Sequence, residues 1–374
     1  MPFPVPHDRP LPDGDRPSRT PYGQTCFFGL CLQFSSDRDP ALRIKAVATL
    51  GVFSALFAGF VLAAPARAAS LYTVPKYAAI LVNSADGEVL YARQADAPRY
   101  PASITKVMTL YVAFEELRDG NIRESDMIRI SSAAARQPPS RLGLKPGAKI
   151  SVREAMGIIA TKSANDLAVA LAEYISGSES QFATRMTQTA RRLGMSRTTF
   201  LNASGLPAVG HMTTARDIAT LSRAVIRDFP RRYPIFSQAS FEYEGQQIAS
   251  HNHLLKNNSG VDGIKTGFTN AAGFTLAASA ANDGVRLIAV VLGGPSRMLR
   301  DNNVTELLDT GFDVLNRRSR GDNTTVAANF AEPDDLSDAM MDRMASEAPS
   351  ADGLVLTSPA RNAAATSLPA RQLP

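Results

Sequence analysis

Pro101-Ala102-Ser103-Ile104-Thr105-Lys106 is the stretch around which the rest of the chain is organised. A strand-like run, Tyr77 to Val82, leads toward it through a tight turn at Asp86-Gly87. An apolar run, Val107-Met108-Thr109-Leu110-Tyr111-Val112-Ala113-Phe114, follows it. Pro101 suits the first turn of a helix, where its missing N–H would be unpaired in any case. Residues three apart on a helix share a face, so the Ser103 hydroxyl and the Lys106 amine are expected side by side. A serine becomes a nucleophile only when a neighbouring base takes its proton. A lysine can be that base only when neutral, and burial or a second cation can lower its pKa by up to ~3–5 units. Alone, Ser-x-x-Lys is weak evidence, since about one match arises by chance in a chain of this length. For such a pair alone, a capped surface helix with a solvated lysine is the better reading, and only the remaining sequence can overturn it.

The chain has 374 residues, a formal net charge of +5, a pI near 9.3, 7% aromatic residues and no Trp. That length suggests two or three domains with ample core. The basic balance comes without an arginine-rich run or a base-stacking pattern, which argues against nucleic-acid binding. Residues 1–40, rich in Pro, Asp and Arg and without apolar periodicity, read as a disordered extension. Arg43-Ile44-Lys45, the apolar stretch Ala46 to Ala64 and Ala66-Arg67-Ala68 then have the order of a secretory signal peptide spanning 41–68, with cleavage after Ala68; the alternative is an uncleaved segment that anchors the chain at the inner membrane. Both cysteines, Cys26 and Cys31, precede that site, so the mature chain would hold neither a disulfide nor a thiol nucleophile.

One globular unit, 69–319, is expected next. Tyr77–Val82 and Val89–Ala92 read as a hairpin. Helices are expected at Thr105–Leu117, Val152–Thr161, Asp166–Ile175, Ser180–Leu193 and Ala215–Phe229, and Ser131–Ile150 reads mostly as loop. Phe241–Tyr243 with Gln247–Ser250 looks like a second hairpin. Val261–Thr266, Gly273–Ala280 and Val285–Leu292 read as strands, the last two joined at Asn282-Asp283-Gly284, and Asn303–Asn316 as a closing helix. Strands at both ends with helices between them imply an α/β (α+β) fold. One antiparallel sheet is completed by both ends of the unit and flanked by helices, with a helical subdomain inserted. Residues 320–374, dominated by Ala, Asp, Pro and Ser, read as a disordered tail.

Two further motifs bear on chemistry. Lys265-Thr266-Gly267 lies in an expected strand, where a lysine and a hydroxyl on one edge make a carboxylate-binding pair. The glycine would let a substrate backbone approach closely. Of two Ser-x-Asn candidates, Ser163-Ala164-Asn165 falls in a break between helices and reads as functional. Ser250-His251-Asn252 falls in a strand-to-turn connection and reads as structural. The four histidines, His7, His211, His251 and His253, form no His-Glu-x-x-His pair, so neither a metal nor a cofactor is implied.

Ser103-x-x-Lys106, Ser163-x-Asn165 and Lys265-Thr266-Gly267, in that order, resemble the motif trio of penicillin-binding proteins and serine β-lactamases. Leu201-Asn202-Ala203-Ser204-Gly205-Leu206, Thr214-Ala215-Arg216-Asp217 and Gly260 to Thr269 narrow the likeness to the D-alanyl-D-alanine carboxypeptidases of low molecular mass, over about Val74 to Asn316. That resemblance implies Ser103 as acyl-ester nucleophile, Lys106 as its base and Ser163 as proton relay. It also implies Asn165 on the substrate amide, and Lys265 and Thr266 on the terminal carboxylate. The N–H groups of Ser103 and Phe268 would form an oxyanion hole, a feature that typically contributes about 3–4 kcal/mol. Arg286 matches an arginine that meets the same carboxylate.

The substrate implied is the peptidoglycan stem peptide, with β-lactams as inhibitors, in an exported, periplasmic enzyme. A DD-endopeptidase, a β-lactamase and an inactive peptidoglycan-binding module are the alternatives. The β-lactamase reading wants a glutamate three residues before a Leu-Asn pair; here Thr198 stands there, and the nearest preceding acid is Glu179. Two departures from the family stand out. Phe268 occupies a position where relatives often carry His or Tyr. The tail also lacks apolar residues for a second domain, and its one helix-like piece, Asp334 to Ala345, bears Asp335, Asp338 and Asp342, the wrong sign for an anionic membrane surface.

Overall fold

The computed structural model describes residues 76–256 and 260–331. The expected extension and signal, and all of the tail beyond 331, lie outside the described residues.

Along the chain run β1 (Ala78–Asn83), β2 (Val89–Arg93), α1 (Thr105–Arg118), β3 (Met127–Arg129), α2 (Ser132–Ala135) and β4 (Lys149–Ser151). Then come α3 (Val152–Thr161), α4 (Asn165–Ser176), α5 (Glu179–Arg192), α6 (Ala215–Asp228), β5 (Ser240–Tyr243) and β6 (Gln246–Ala249). The unit closes with β7 (Val261–Thr269), β8 (Gly273–Asn282), β9 (Val285–Gly294), α7 (Arg297–Ser319) and α8 (Val326–Asn329). The main sheet has the order β2-β1-β9-β8-β7 with antiparallel neighbours, so the first two strands join the last three and the helices between them form the insertion.

Strand side chains alternate between faces, and each face of this sheet has its own core. Ile80, Ala277, Val290 and Leu292 pack with Ile104, Val107, Met108 and Leu110 of the helical side. Leu81, Leu276, Ala289 and Val291 pack with Val304, Leu307 and Leu308 of α7. Cover on both faces explains why β9 reads as one apolar run instead of alternating. Gly311 lets α7 lie this close, because a Cβ there would stand 2.6 Å from Leu81 Cδ2 and 2.8 Å from Leu287 Cδ1.

Helix α1 is buried from Thr105 to Glu116 with no exposed stripe, as befits a helix at the centre of a fold. Its start therefore has little freedom to move. The closing region differs from the sequence reading in two ways. Helix α7 begins at Arg297, capped by the Ser296 side chain, and not at Asn303. The packed chain also continues past 319: Val326 is fully buried, and the Phe330 ring sits edge-on to Tyr91 of β2 with centroids 5.1 Å apart. The expected boundary at 319 falls short because these apolar residues show no periodicity and are held only by tertiary contact.

Candidate active site

Ser103 sits in a single 3₁₀ turn, Ala102–Ile104, leading into α1. Ala102 adopts a φ of +46°, a left-handed conformation that costs a non-glycine residue about 1–3 kcal/mol and recurs where function fixes a side chain. Ser103 is half-buried, whereas Lys106, one helical turn on, is fully buried. The Lys106 Nζ lies 3.0 Å from Ser103 Oγ and donates to Asn165 Oδ1 at 2.7 Å and to the Ser204 carbonyl at 2.5 Å. A neutral amine has two N–H bonds and one lone pair. With both hydrogens on Asn165 and Ser204, the lone pair is left for the Ser103 hydroxyl. Burial, reinforced by the charge of Lys265 and opposed by that of Asp166, holds Lys106 well below the ordinary lysine range.

Ser163 and Asn165 come from the break between α3 and α4. Ser163 has a φ of +65° and is buried, and its Oγ finds no hydrogen-bond partner among the described residues. A buried orphan hydroxyl in a strained backbone marks a group kept for something else to bind. The Asn165 amide nitrogen donates to the Pro138 carbonyl at 2.9 Å while its oxygen takes Lys106, so one N–H remains for a ligand. Asp166, fully buried, accepts the N–H groups of Leu142, Gly143 and Leu167 and fastens the 138–143 loop beside this break. Ser250, by contrast, spends its hydroxyl on the Asn252 N–H at 3.2 Å within its own turn.

The third wall is β7, at the edge of the sheet. Lys265 and Thr266 are both buried, and Lys265 is brought down to about 7 by burial and then by the nearby Arg300 guanidinium. At Gly267 a Cβ would lie 2.8 Å from the Ser103 nitrogen, 3.0 Å from Ala102 Cβ and 2.6 Å from Thr275 Oγ1. The glycine thus admits the chain's own Ser103 turn; the sequence reading had given that space to a substrate backbone. Phe268 follows, half-buried, its ring 4.3 Å centroid to centroid from Phe274.

The structure does not bring Arg286 to this place, which corrects the sequence reading. Arg286 pairs with Ala281 of β8, whereas Lys265 pairs with Ala277, four residues or roughly 13 Å along the strand. Its guanidinium is spent on Asp262 at 2.7 Å and on Ser279 Oγ at 2.8 Å, over the Tyr233 ring. Arg300, in the first turn of α7, is the buried arginine at the level of the site: paired with Asp301 at 2.6 Å, it donates to the carbonyl of Thr275, the register partner of Gly267. Sequence reasoning missed it by starting that helix six residues too late, past Arg300. The loop Leu201 to Gly205 also reaches the site through Ser204. Glu179, remote in sequence from the Leu201-Asn202 pair, lies against this loop, its Oε1 accepting the Ala203 N–H at 2.9 Å.

Three elements thus converge: a hydroxyl on a buried amine at the start of α1, a second serine with an asparagine, and a lysine-threonine-glycine edge strand. The family model for D-alanyl-D-alanine carboxypeptidase matches residues 65–296. The chain belongs to the D-alanyl-D-alanine carboxypeptidase family. It is 37% identical to D-alanyl-D-alanine carboxypeptidase DacC of Escherichia coli over 276 residues, 72% of this chain and 69% of that one. It is likewise 37% identical to DacF of Bacillus subtilis over 243 residues, 63% of this chain and 61% of the relative. Among solved structures, penicillin binding protein 5 from Haemophilus influenzae superposes with a TM-score of 0.61 at 35% identity, covering 63% of this chain and 70% of that one. Penicillin-Binding Protein D2 from Listeria monocytogenes, in its cefotaxime-bound form, does so with a TM-score of 0.58 at 31% identity, over 63% of this chain and 96% of that one. The antiparallel sheet with its helical insertion is the fold of this family.

Proposed function

We infer that the chain is a serine-type D-alanyl-D-alanine carboxypeptidase that trims the terminal D-alanine from peptidoglycan stem peptides. The observation that carries this reading is the buried Lys106 amine, 3.0 Å from Ser103 Oγ and held by two acceptors that leave its lone pair on the serine. Ser103 Oγ attacks the carbonyl of the penultimate D-alanine while its proton passes to Lys106. The oxyanion that forms is met by the N–H groups of Ser103 and Phe268. As the C–N bond breaks, Ser163 passes its proton to the departing amine of D-alanine and takes in its place the one Lys106 had received, which leaves Lys106 neutral. Water then hydrolyses the acyl ester with Lys106 again accepting a proton. Lys265 and Thr266, with Arg300 adding positive charge behind them, hold the terminal carboxylate, and the spare Asn165 N–H meets the peptide amide. No cofactor takes part in these steps.

The signal-like segment supports work outside the cytoplasmic membrane, where this substrate is found. Sensitivity to β-lactams follows from the same nucleophile, in keeping with the cefotaxime- and ampicillin-bound relatives from Listeria monocytogenes. The test is product analysis with a stem pentapeptide and with a cross-linked dimer. Release of D-alanine from the pentapeptide is expected. Cleavage of the dimer alone would make the protein an endopeptidase, and no product from either would leave a binding module.

A further inference from the structure

The two acceptors that aim Lys106 are held in different ways. Asn165 begins a helix and is braced by Pro138. The Ser204 carbonyl belongs to a loop outside any helix or strand, so its position depends on what grips the neighbouring peptides. The Gly205 N–H, in the same peptide plane, donates to Asn202 Oδ1 at 2.7 Å. The Ala203 carbonyl accepts from Thr109 Oγ1 at 2.7 Å, from the same helix as Lys106. The Ala203 N–H donates to Glu179 Oε1 at 2.9 Å, and Glu179 opens α5, a different element. Glu179 therefore ties the N–H side of Ala203 to α5, as Thr109 ties its carbonyl to α1 and Thr187 of α5 holds Phe200 just upstream. Ala203 and Ser204 are almost fully buried, so losing that acceptor would orphan a buried N–H. Such a group is costly to bury unless the loop moves to satisfy it. Movement here displaces the Ser204 carbonyl.

We propose that Glu179 is a positioning residue for acylation, gripping the Ala203 N–H so that the Ser204 carbonyl aims Lys106 at Ser103. This rests on Lys106 being the base. A carboxylate suits the task, because hydrogen bonds to an ionised acceptor are the stronger ones, and the first turn of a helix favours negative charge. What the position requires is an acceptor oxygen, which glutamine also offers and leucine does not.

The experiment compares wild type, Glu179→Gln and Glu179→Leu in stopped-flow acylation by a fluorescent penicillin, resolving binding from the acylation rate across a range of pH. Glu179→Gln should acylate within about threefold of wild type, while Glu179→Leu should lose about tenfold or more in rate with binding unchanged, the scale of loss that small misplacements of reacting groups produce. The charges facing Lys106, Lys265 and Asp166, are untouched by either variant. With its carbonyl partner displaced, protonated Lys106 is less well held, so the acid limb of Glu179→Leu should move to lower pH. A merely structural role would reduce the labelled fraction and leave rate and limb in place; that result overturns the proposal, as does wild-type behaviour of Glu179→Leu. Wild type that fails to label at all would sink the base assignment itself, and the proposal with it.

Discussion

Lys106 can take the serine proton only while neutral, and Lys265 can hold a carboxylate only while charged. Burial and the Lys265 charge put the first well below its ordinary range, and burial with Arg300 puts the second at about 7. For a D-alanyl-D-alanine peptide, kcat/KM should therefore rise on the acid side as Lys106 gives up its proton. It should fall above about pH 7 as Lys265 gives up its own. Lys265→Arg keeps its charge at every working pH and should retain much of the activity while losing the alkaline fall. Lys106→Arg should lose acylation outright, since arginine never becomes a base. An alkaline limb unchanged in Lys265→Arg, or acylation surviving in Lys106→Arg, contradicts these roles.

Among the elements, the edge strand and the Ser103 turn are in contact through a residue with no side chain. Gly267→Ala would place a methyl 2.8 Å from the Ser103 nitrogen and 2.6 Å from Thr275 Oγ1. The cheaper response is for the turn to shift by a fraction of an ångström. Acylation should then fall by about tenfold or more, short of the ~100-fold that a full ~1 Å of misplacement costs. Circular dichroism should stay that of the wild type, and a variant that acylates normally would show that β7 does not fix the nucleophile. This contact also marks the limit of what a sequence discloses. Ser103, Lys106, Ser163 and Lys265 were legible because each sits in a short motif whose local geometry brings it forward. Arg300 was not, and Arg286 was named in its place, because the difference depends on sheet register: Arg286 lies four residues along the strand from Lys265, and Arg300 returns on α7. Glu179 was set aside for its distance in sequence from Leu201-Asn202, which the fold removes.

For the whole molecule, the sheet completed by both ends of the unit and the inserted helices followed from the order of apolar runs. The small β3–β4 sheet did not, because three-residue strands on either side of a long connection carry too little pattern. Nor did the packed segment at 326–330, whose hold on β2 is one ring and one valine. Phe330→Ala should cost about 3 kcal/mol, the lower end for a buried phenylalanine. In a domain of this size that lowers Tm by roughly 6–12 °C. Penicillin labelling below the transition should be untouched, because β2 is the strand farthest across the sheet from β7. A Tm equal to wild type would show that the fold ends where α7 does.

On the proposed mechanism, Ser103 forms an acyl-enzyme that a peptide leaves readily and penicillin does not. The glutamate that a class A β-lactamase uses for rapid deacylation has no counterpart in place. Thr198 is buried and bonded to Asp217 at 2.6 Å, and Glu179 is committed to the Ala203 N–H. Intact-protein mass spectrometry after benzylpenicillin, followed over time beside a D-alanine release assay on the pentapeptide, tests this most directly. The expected result is a single penicilloyl adduct on Ser103, absent in Ser103→Ala and persisting for minutes or longer, from a protein that releases D-alanine. An adduct on another residue, or one lost within seconds with rapid penicillin turnover and no D-alanine release, contradicts it.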